Sequence, residues 1–317
     1  MERAFADAPG PVDESVRGYP APPLRPYVAW YSGYRQRGVP PATHRGLPSP
    51  YLTLILTLDD PLMLAEHPDL AQPSGSYLLL LGGLHTSPAL VTHDGRQSGV
   101  QIALSPLGAR ALLGLPAGEL GGLDLHADDV LGPDVVEAHE ALRLAADWPG
   151  RFAALDAWLL RRAAKLEAGP PAGEVGHAWR LLLRTGGAAP VASVAREIGW
   201  SPRRLSGRFN DEIGLSPKAA ARVIRFDRAR RALAARVMAA GPDGSGPRPR
   251  PGPGLRSGPG PRSGSGPGLG LADLAVACGY FDQAHLDREF RALAGCPPVH
   301  WVAEEFRNIQ AGAHFGA

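Results

Sequence analysis

The sequence predicts an α+β chain, with an N-terminal β-rich domain that carries helices and a C-terminal all-α domain. Three observations predict it. Short apolar stretches bounded by Pro, Gly and Asp occupy the first third; the period then becomes helical; and one block of helical pattern occurs twice near the end. With 317 residues, the chain is long enough for two or three domains, each burying its own core.

Taken in order, Tyr27 to Tyr34, Tyr51 to Leu58, Tyr77 to Leu81 and Val100 to Leu104 read as strands. Turns at Pro48-Ser49-Pro50, Asp59-Asp60-Pro61 and Asp94-Gly95 connect them. Pro106 opens a short helix with Leu107, Ala111 and Leu112 on one face, and amphipathic helices follow over about 133–147 and 150–166. The last of these carries Phe152, Leu155, Trp158, Leu159 and Leu166 near helical spacing. Packing of Trp158 and Leu159 on their own domain is expected; pairing with a second copy is the alternative. Gly169-Pro170-Pro171-Ala172-Gly173 reads as a linker, which sets an α+β effector-binding or association domain at 1–168 and an all-α domain at 177–309. Within the latter, Gly241 to Gly270 contains 11 Gly, 8 Pro, four Arg and one Asp, with only Leu255 and Leu269 large enough to bury. That composition predicts a disordered insertion.

The net charge of +2 hides an asymmetry. Residues 1–176 hold 13 Lys+Arg against 20 Asp+Glu, whereas residues 177–317 hold 20 against 11. An acidic front and a basic back fit a protein whose C-terminal part alone meets a polyanion. No apolar run approaches the ~20 residues that span a bilayer, and the start lacks a basic patch followed by an apolar core. A cytoplasmic protein without a membrane partner is expected. Two cysteines, Cys278 and Cys296, supply neither a disulfide framework nor a four-cysteine zinc site and read as reduced core thiols.

The duplicated block carries the functional argument. Val191, Val194, Ala195, Ile198, Gly199 and Trp200 match Leu271, Leu274, Ala275, Cys278, Gly279 and Tyr280 at an offset of 80. After one extra residue the offset is 81, and Leu205, Phe209, Gly214 and Pro217 match Leu286, Phe290, Gly295 and Pro298. Each copy reads as helix, tight turn, helix. Gly199 supplies the turn, Ser201 caps the next helix ahead of Pro202, and Asp282 caps its counterpart. Outward positions then hold Arg203, Arg204, Ser206 and Arg208 in the first copy, and Gln283, His285, Asp287, Arg288 and Arg291 in the second. This is the helix-turn-helix arrangement, whose second helix enters the major groove. Arg matches guanine O6 and N7, Gln matches adenine N6 and N7, and Asp accepts from cytosine N4. A long helix from Ser216-Pro217 to about Met238 joins the two units, so that recognition helices about 34 Å apart would read a bipartite site on one side of the duplex.

These residues resemble the tandem helix-turn-helix domain of AraC-type transcriptional regulators. The resemblance covers roughly 177–308 and rests on Val191 to Phe209, Gly214-Leu-Ser-Pro, Ala275 to Phe290 and Gly295-Cys-Pro-Pro. It implies a transcription regulator in which Arg203, Ser206 and Gly207 of the first unit, and Gln283, Ala284, Asp287 and Arg288 of the second, face bases. Arg204, Arg208 and His285 are then phosphate partners. Gly207 and Ala284 have no side chain that reads a base by hydrogen bonding. The Gly/Pro/Arg insertion departs from the short connection usual in that family. More loosely, Gly46 to Leu56 and Gly99 to Ala109 resemble the N-terminal region of some such regulators, which bind small effectors or dimerise. Double-stranded DNA is therefore the main expected partner, with a small-molecule effector, a homodimer partner and RNA polymerase as further candidates.

Other chemistries fit less well. His44, His85, His93 and Asp94 lack the spacing of a cupin-type metal centre, so no metal is expected. Ser105 has no Gly-x-Ser-x-Gly elbow, and no phosphate-binding loop ending in Lys-Ser/Thr occurs. A DNA-repair alkyl acceptor would need a reactive cysteine, yet both cysteines fall in structural positions of the second unit. No catalytic residue, cofactor or enzymatic activity is expected. A helical protein-interaction module without DNA binding is the remaining alternative.

Overall fold

The computed structural model describes residues 10–166, 173–240 and 270–310. The linker read at 169–173 and the insertion read at 241–270 therefore lie outside the described residues, save for Gly173 and Gly270. Ten strands build the front of the chain: β1 (Val12–Gly18), β2 (Val28–Arg37), β3 (Ala42–Gly46), β4 (Leu52–Thr57), β5 (Leu62–Glu66), β6 (Gly75–Tyr77), β7 (Leu79–Gly82), β8 (Ala89–His93), β9 (Arg96–Leu104) and β10 (Asp124–His126). Helices α1 (Ala109–Leu113), α2 (Ala127–Leu131), α3 (Pro133–Leu144) and α4 (Trp148–Leu166) accompany them. The rest is helical: α5 (Gly173–Arg184), α6 (Val191–Glu197), α7 (Pro202–Ile213), α8 (Pro217–Ala240), α9 (Leu271–Ala277), α10 (Gln283–Ala294) and α11 (Pro298–Gln310). The expected α+β class, with a β-rich front and two helix-turn-helix units joined by a long helix, is the observed one.

All strand pairs are antiparallel, in a six-stranded sheet ordered β1-β2-β9-β4-β7-β10 and a four-stranded sheet ordered β3-β8-β5-β6. The apolar runs of the sequence form the centre of the larger sheet. One face presents Tyr31, Leu52, Leu54, Leu56, Val100, Ile102 and Leu104, all buried. On it lie the helices: Phe152 stacks on Tyr31 at 5.7 Å, and Asp156 accepts from the Tyr31 hydroxyl at 2.8 Å. Trp158 and Leu159 are buried in this core, as expected for a helix packed on its own domain. Because side chains alternate across a strand, the opposite face carries Ser32, Gln101, Ile55 and Leu80, aligned across four strands by register. It faces Leu62, Leu64, Ala89 and Val91 of the smaller sheet across a cavity.

Sequence reading found the apolar strands, missed β1, β3, β5, β8 and β10, and read as the single stretch Tyr77 to Leu81 what are two strands, β6 and β7, in different sheets. Strand β1 reads Val-Asp-Glu-Ser-Val-Arg-Gly and β3 reads Ala-Thr-His-Arg-Gly, with too few apolar residues to signal a strand alone. Pairing holds them: β1 runs along β2 from Val12↔Arg37 to Gly18↔Tyr31. The helix expected after Pro106 begins as a 3-10 turn over Pro106–Gly108 and continues as α1.

Docking contacts at two places, among others, tie the front to the helical units. Gly118, in the 3-10 turn Ala117–Leu120, approaches the end of α7 so closely that a Cβ there would lie 2.1 Å from the Asp211 carbonyl oxygen. Beside it, Arg110 donates through Nε and Nη2 to both carboxylate oxygens of Glu212 at 2.9 and 2.8 Å. At the second contact the Arg45 backbone N–H donates to the buried Glu305 at 2.8 Å, and its guanidinium pairs with Glu304.

Candidate nucleic-acid interface

Each helix-turn-helix unit forms for local reasons. In the first, Gly199 takes φ +72°, a conformation that ends α6 without the Cβ penalty other residues meet. The Ser201 side chain then accepts from the Arg204 N–H at 3.2 Å, with Pro202 in the first turn of α7. Leu205, Phe209 and Ile213 are fully buried, and Phe209 lies 6.1 Å from Trp179 of α5. The second unit repeats the scheme with Gly279 at φ +81° and Asp282 accepting from the His285 N–H at 2.7 Å. Leu286 and Phe290 are buried, Phe290 against Phe226 of α8 and Trp301 of α11.

The geometry leaves the predicted contact residues on the outside. Arg203, Arg204, Ser206, Gly207 and Arg208 are exposed along α7, as are Gln283, Ala284, Arg288 and Arg291 on α10. Among the described residues, Arg203, Arg208, Arg288 and Arg291 have no carboxylate partner, so their charge is available to an anion. Arg204 lies over the Trp200 ring at 4.6 Å, a cation–π contact that fixes where its guanidinium points. Two positions are less open. His285 is half-buried; its ring packs edge-on against Tyr280 at 5.2 Å and its Nδ1 accepts from the Phe281 N–H at 3.4 Å. Asp287 is half-buried as well.

Helix α8 connects the two units. Its 24 residues span about 36 Å, close to one helical repeat of DNA. Val223, Ile224, Phe226, Ala229 and Leu233 are buried along it. Arg222 donates to both oxygens of Glu289 at 3.0 to 3.2 Å, fastening α10 to α8. That pair is 67 residues apart and carries no sequence signal. Both cysteines are buried, and burial raises the pKa of each thiol above its ordinary value, the opposite of an activated nucleophile.

In the front half, the space between the sheets forms a cavity of about 190 Å³. Ser32, Thr53 and Gln101 line its polar wall, and Leu62, Leu64 and Val91 its apolar one. Arg230 of α8 reaches its edge. Nearby, Arg17 packs over Trp30 at 4.1 Å; burial, with Arg230 and Arg231 close by, lowers its pKa to about 10. The histidines weighed for a metal centre are dispersed. His44 and His93 have ring centroids 6.3 Å apart, and half-buried His85 has Nδ1 2.5 Å from the Ser87 carbonyl oxygen.

A family described as a domain of unknown function (DUF6597) matches residues 17–126. No curated protein matches the chain. Among solved structures, the chain is similar to ToxT from Vibrio cholerae, at 11% identity and a TM-score of 0.44, over 86% of this chain and 97% of that one. It is also similar to the apo form of a single-residue variant of ToxT from Vibrio cholerae strain SCE256, at 9% identity and 0.47, over 87% and 97%. The wild-type ToxT of that strain, bound to an unsaturated fatty acid, gives 8% identity and 0.42, over 94% and 96%. Among the described residues, no helix is long and apolar enough to cross a membrane.

Proposed function

We propose that the chain is a sequence-specific DNA-binding transcription regulator of the AraC type that reads a bipartite site through α7 and α10. The observation that carries this reading is the repeated unit itself: two capped helices, each backed by a buried Leu/Phe pair, with arginines on their open faces that have no carboxylate partner among the described residues. A helical protein-interaction module has no need of that charge. Arg203, Ser206, Gln283, Asp287 and Arg288 then address bases, while Arg204, Arg208 and His285 hold phosphates. The division of labour follows the expected boundaries, with residues 1–168 as the effector or association domain and 177–309 as the DNA-binding domain. The inter-sheet cavity is the candidate effector site, since Arg230 connects it to the helix between the two units. Function lies in binding, not in bond-making.

The test is alanine replacement of Arg203 and of Arg288, measured against every single-base variant of a bound site. Each is expected to cost ~1 to 3 kcal/mol and to relax preference at one base position. Equal loss on every sequence would reassign that arginine to a phosphate.

A further inference from the structure

The two units differ in length by one residue, and the structure shows where it goes. In the first, Gly199 and Trp200 lead straight into the capping Ser201; in the second, Phe281 intervenes between Tyr280 and the capping Asp282. Tyr280 is buried and takes the inward place that Trp200 holds in the first unit. Phe281 is pushed outward. It is 88% exposed, more than any other large apolar side chain among the described residues. An apolar residue just before an N-cap ordinarily packs on the fourth helical residue. Here that residue is Leu286, fully buried in the core, and Phe281 does not cover it. The ring thus forgoes the free energy that burial supplies, and folding of the turn does not explain its presence.

Charge separates the units further. In the first, Arg196, Arg203, Arg204 and Arg208 outnumber Glu197, Asp211 and Glu212, and Glu212 is taken up by Arg110. In the second, Asp273, Asp282 and Asp287 outnumber Arg288 and Arg291 even with Glu289 taken up by Arg222. The positions of Arg196 and Arg204 are held there by Val276, 67% exposed, and His285. The second unit offers fewer cations to phosphates and more apolar surface at the start of its recognition helix. Recognition-helix N-termini sit over base edges, and the apolar group those edges present in the major groove is the C5 methyl of thymine.

We propose that Phe281 is a specificity-determining residue that packs its ring on the 5-methyl group of a thymine in the half-site read by α10, beside the base addressed by Gln283. The proposal rests on the DNA-binding reading above. The test uses the full chain and a duplex selected by it from a random pool, with each thymine of the α10 half-site replaced in turn by deoxyuridine. That change deletes the methyl group and keeps the base pair. One replacement should weaken wild-type binding roughly fourfold, the worth of one buried methyl group. Phe281→Ser should bind the thymine and uracil duplexes equally, at the weaker level, while Phe281→Leu keeps the preference. Its exposure predicts an unfolding midpoint matching wild type for either variant, which serves as the folding control. The proposal is overturned if no uracil position matters, or if Phe281→Ser still distinguishes the two duplexes. It is equally overturned if Phe281→Ser binds every duplex as wild type does but loses a protein partner. Failure of the wild-type chain to select any site would instead strike at the DNA-binding reading itself.

Discussion

Replacing Arg204 and Arg208 together by alanine removes two exposed cations from α7 while leaving its buried face intact. Counterion release makes the logarithm of affinity fall with the logarithm of salt concentration by roughly 0.9 per neutralised phosphate. If the exposed cations Arg196 and Arg291 join Arg204 and Arg208 at phosphates, and His285 holds its phosphate by a hydrogen bond alone, the wild-type slope is about −4 and the double variant's about −2. Between about 50 and 200 mM salt the wild type should then lose affinity roughly 150-fold and the variant roughly tenfold. Arg203→Ala should leave the slope unchanged, because a guanidinium spent on a base releases no counterion. The assay is fluorescence anisotropy of a labelled duplex over a salt series. Arg204 also stacks on Trp200, so the unfolding midpoint is recorded beside each titration to separate lost charge from lost packing. A flat wild-type response, or a slope that both arginines leave untouched, would refute the reasoning.

Stability should depend on pH through His139. It is buried on the sheet with Nε2 2.6 Å from the Thr57 carbonyl oxygen, and burial lowers its pKa below the ordinary value. Its contribution is therefore complete above the unfolded value of about 6.5 and is lost as the pH falls through the folded value. The denaturant midpoint of the wild type should drop between about pH 7.5 and 5.5, and that of His139→Gln should drop less; equal drops would remove His139 from the account. The Arg110–Glu212 pair should show a coupling of about 1 kcal/mol in a double-mutant cycle, modest because the arginine is partly exposed. Zero coupling would mean that, at this contact, the Gly118 approach alone holds the two parts.

Legibility followed how local each signal was. Strands β4 and β9 were readable because their own residues are apolar, and the two capped helices because Gly199, Ser201 and Asp282 act on their immediate neighbours. Strands β1 and β3 were not, since pairing with β2 and β8 creates them. The docking of the front on the helical units was invisible for the same reason: Arg110 and Glu212 are 102 residues apart, and either could have been a solvated surface charge. Phe281 lies between these cases. The sequence shows an extra residue in the second turn, but only the packing of Tyr280 sends it outward.

Selection of bound duplexes from a random pool by the full chain tests the central claim most directly. Two short enriched motifs about 10 base pairs apart are predicted, one relaxed at a single base position on replacing Arg203 and the other on replacing Arg288. A pool without enrichment, or one whose motifs keep every base preference through both replacements, would contradict it.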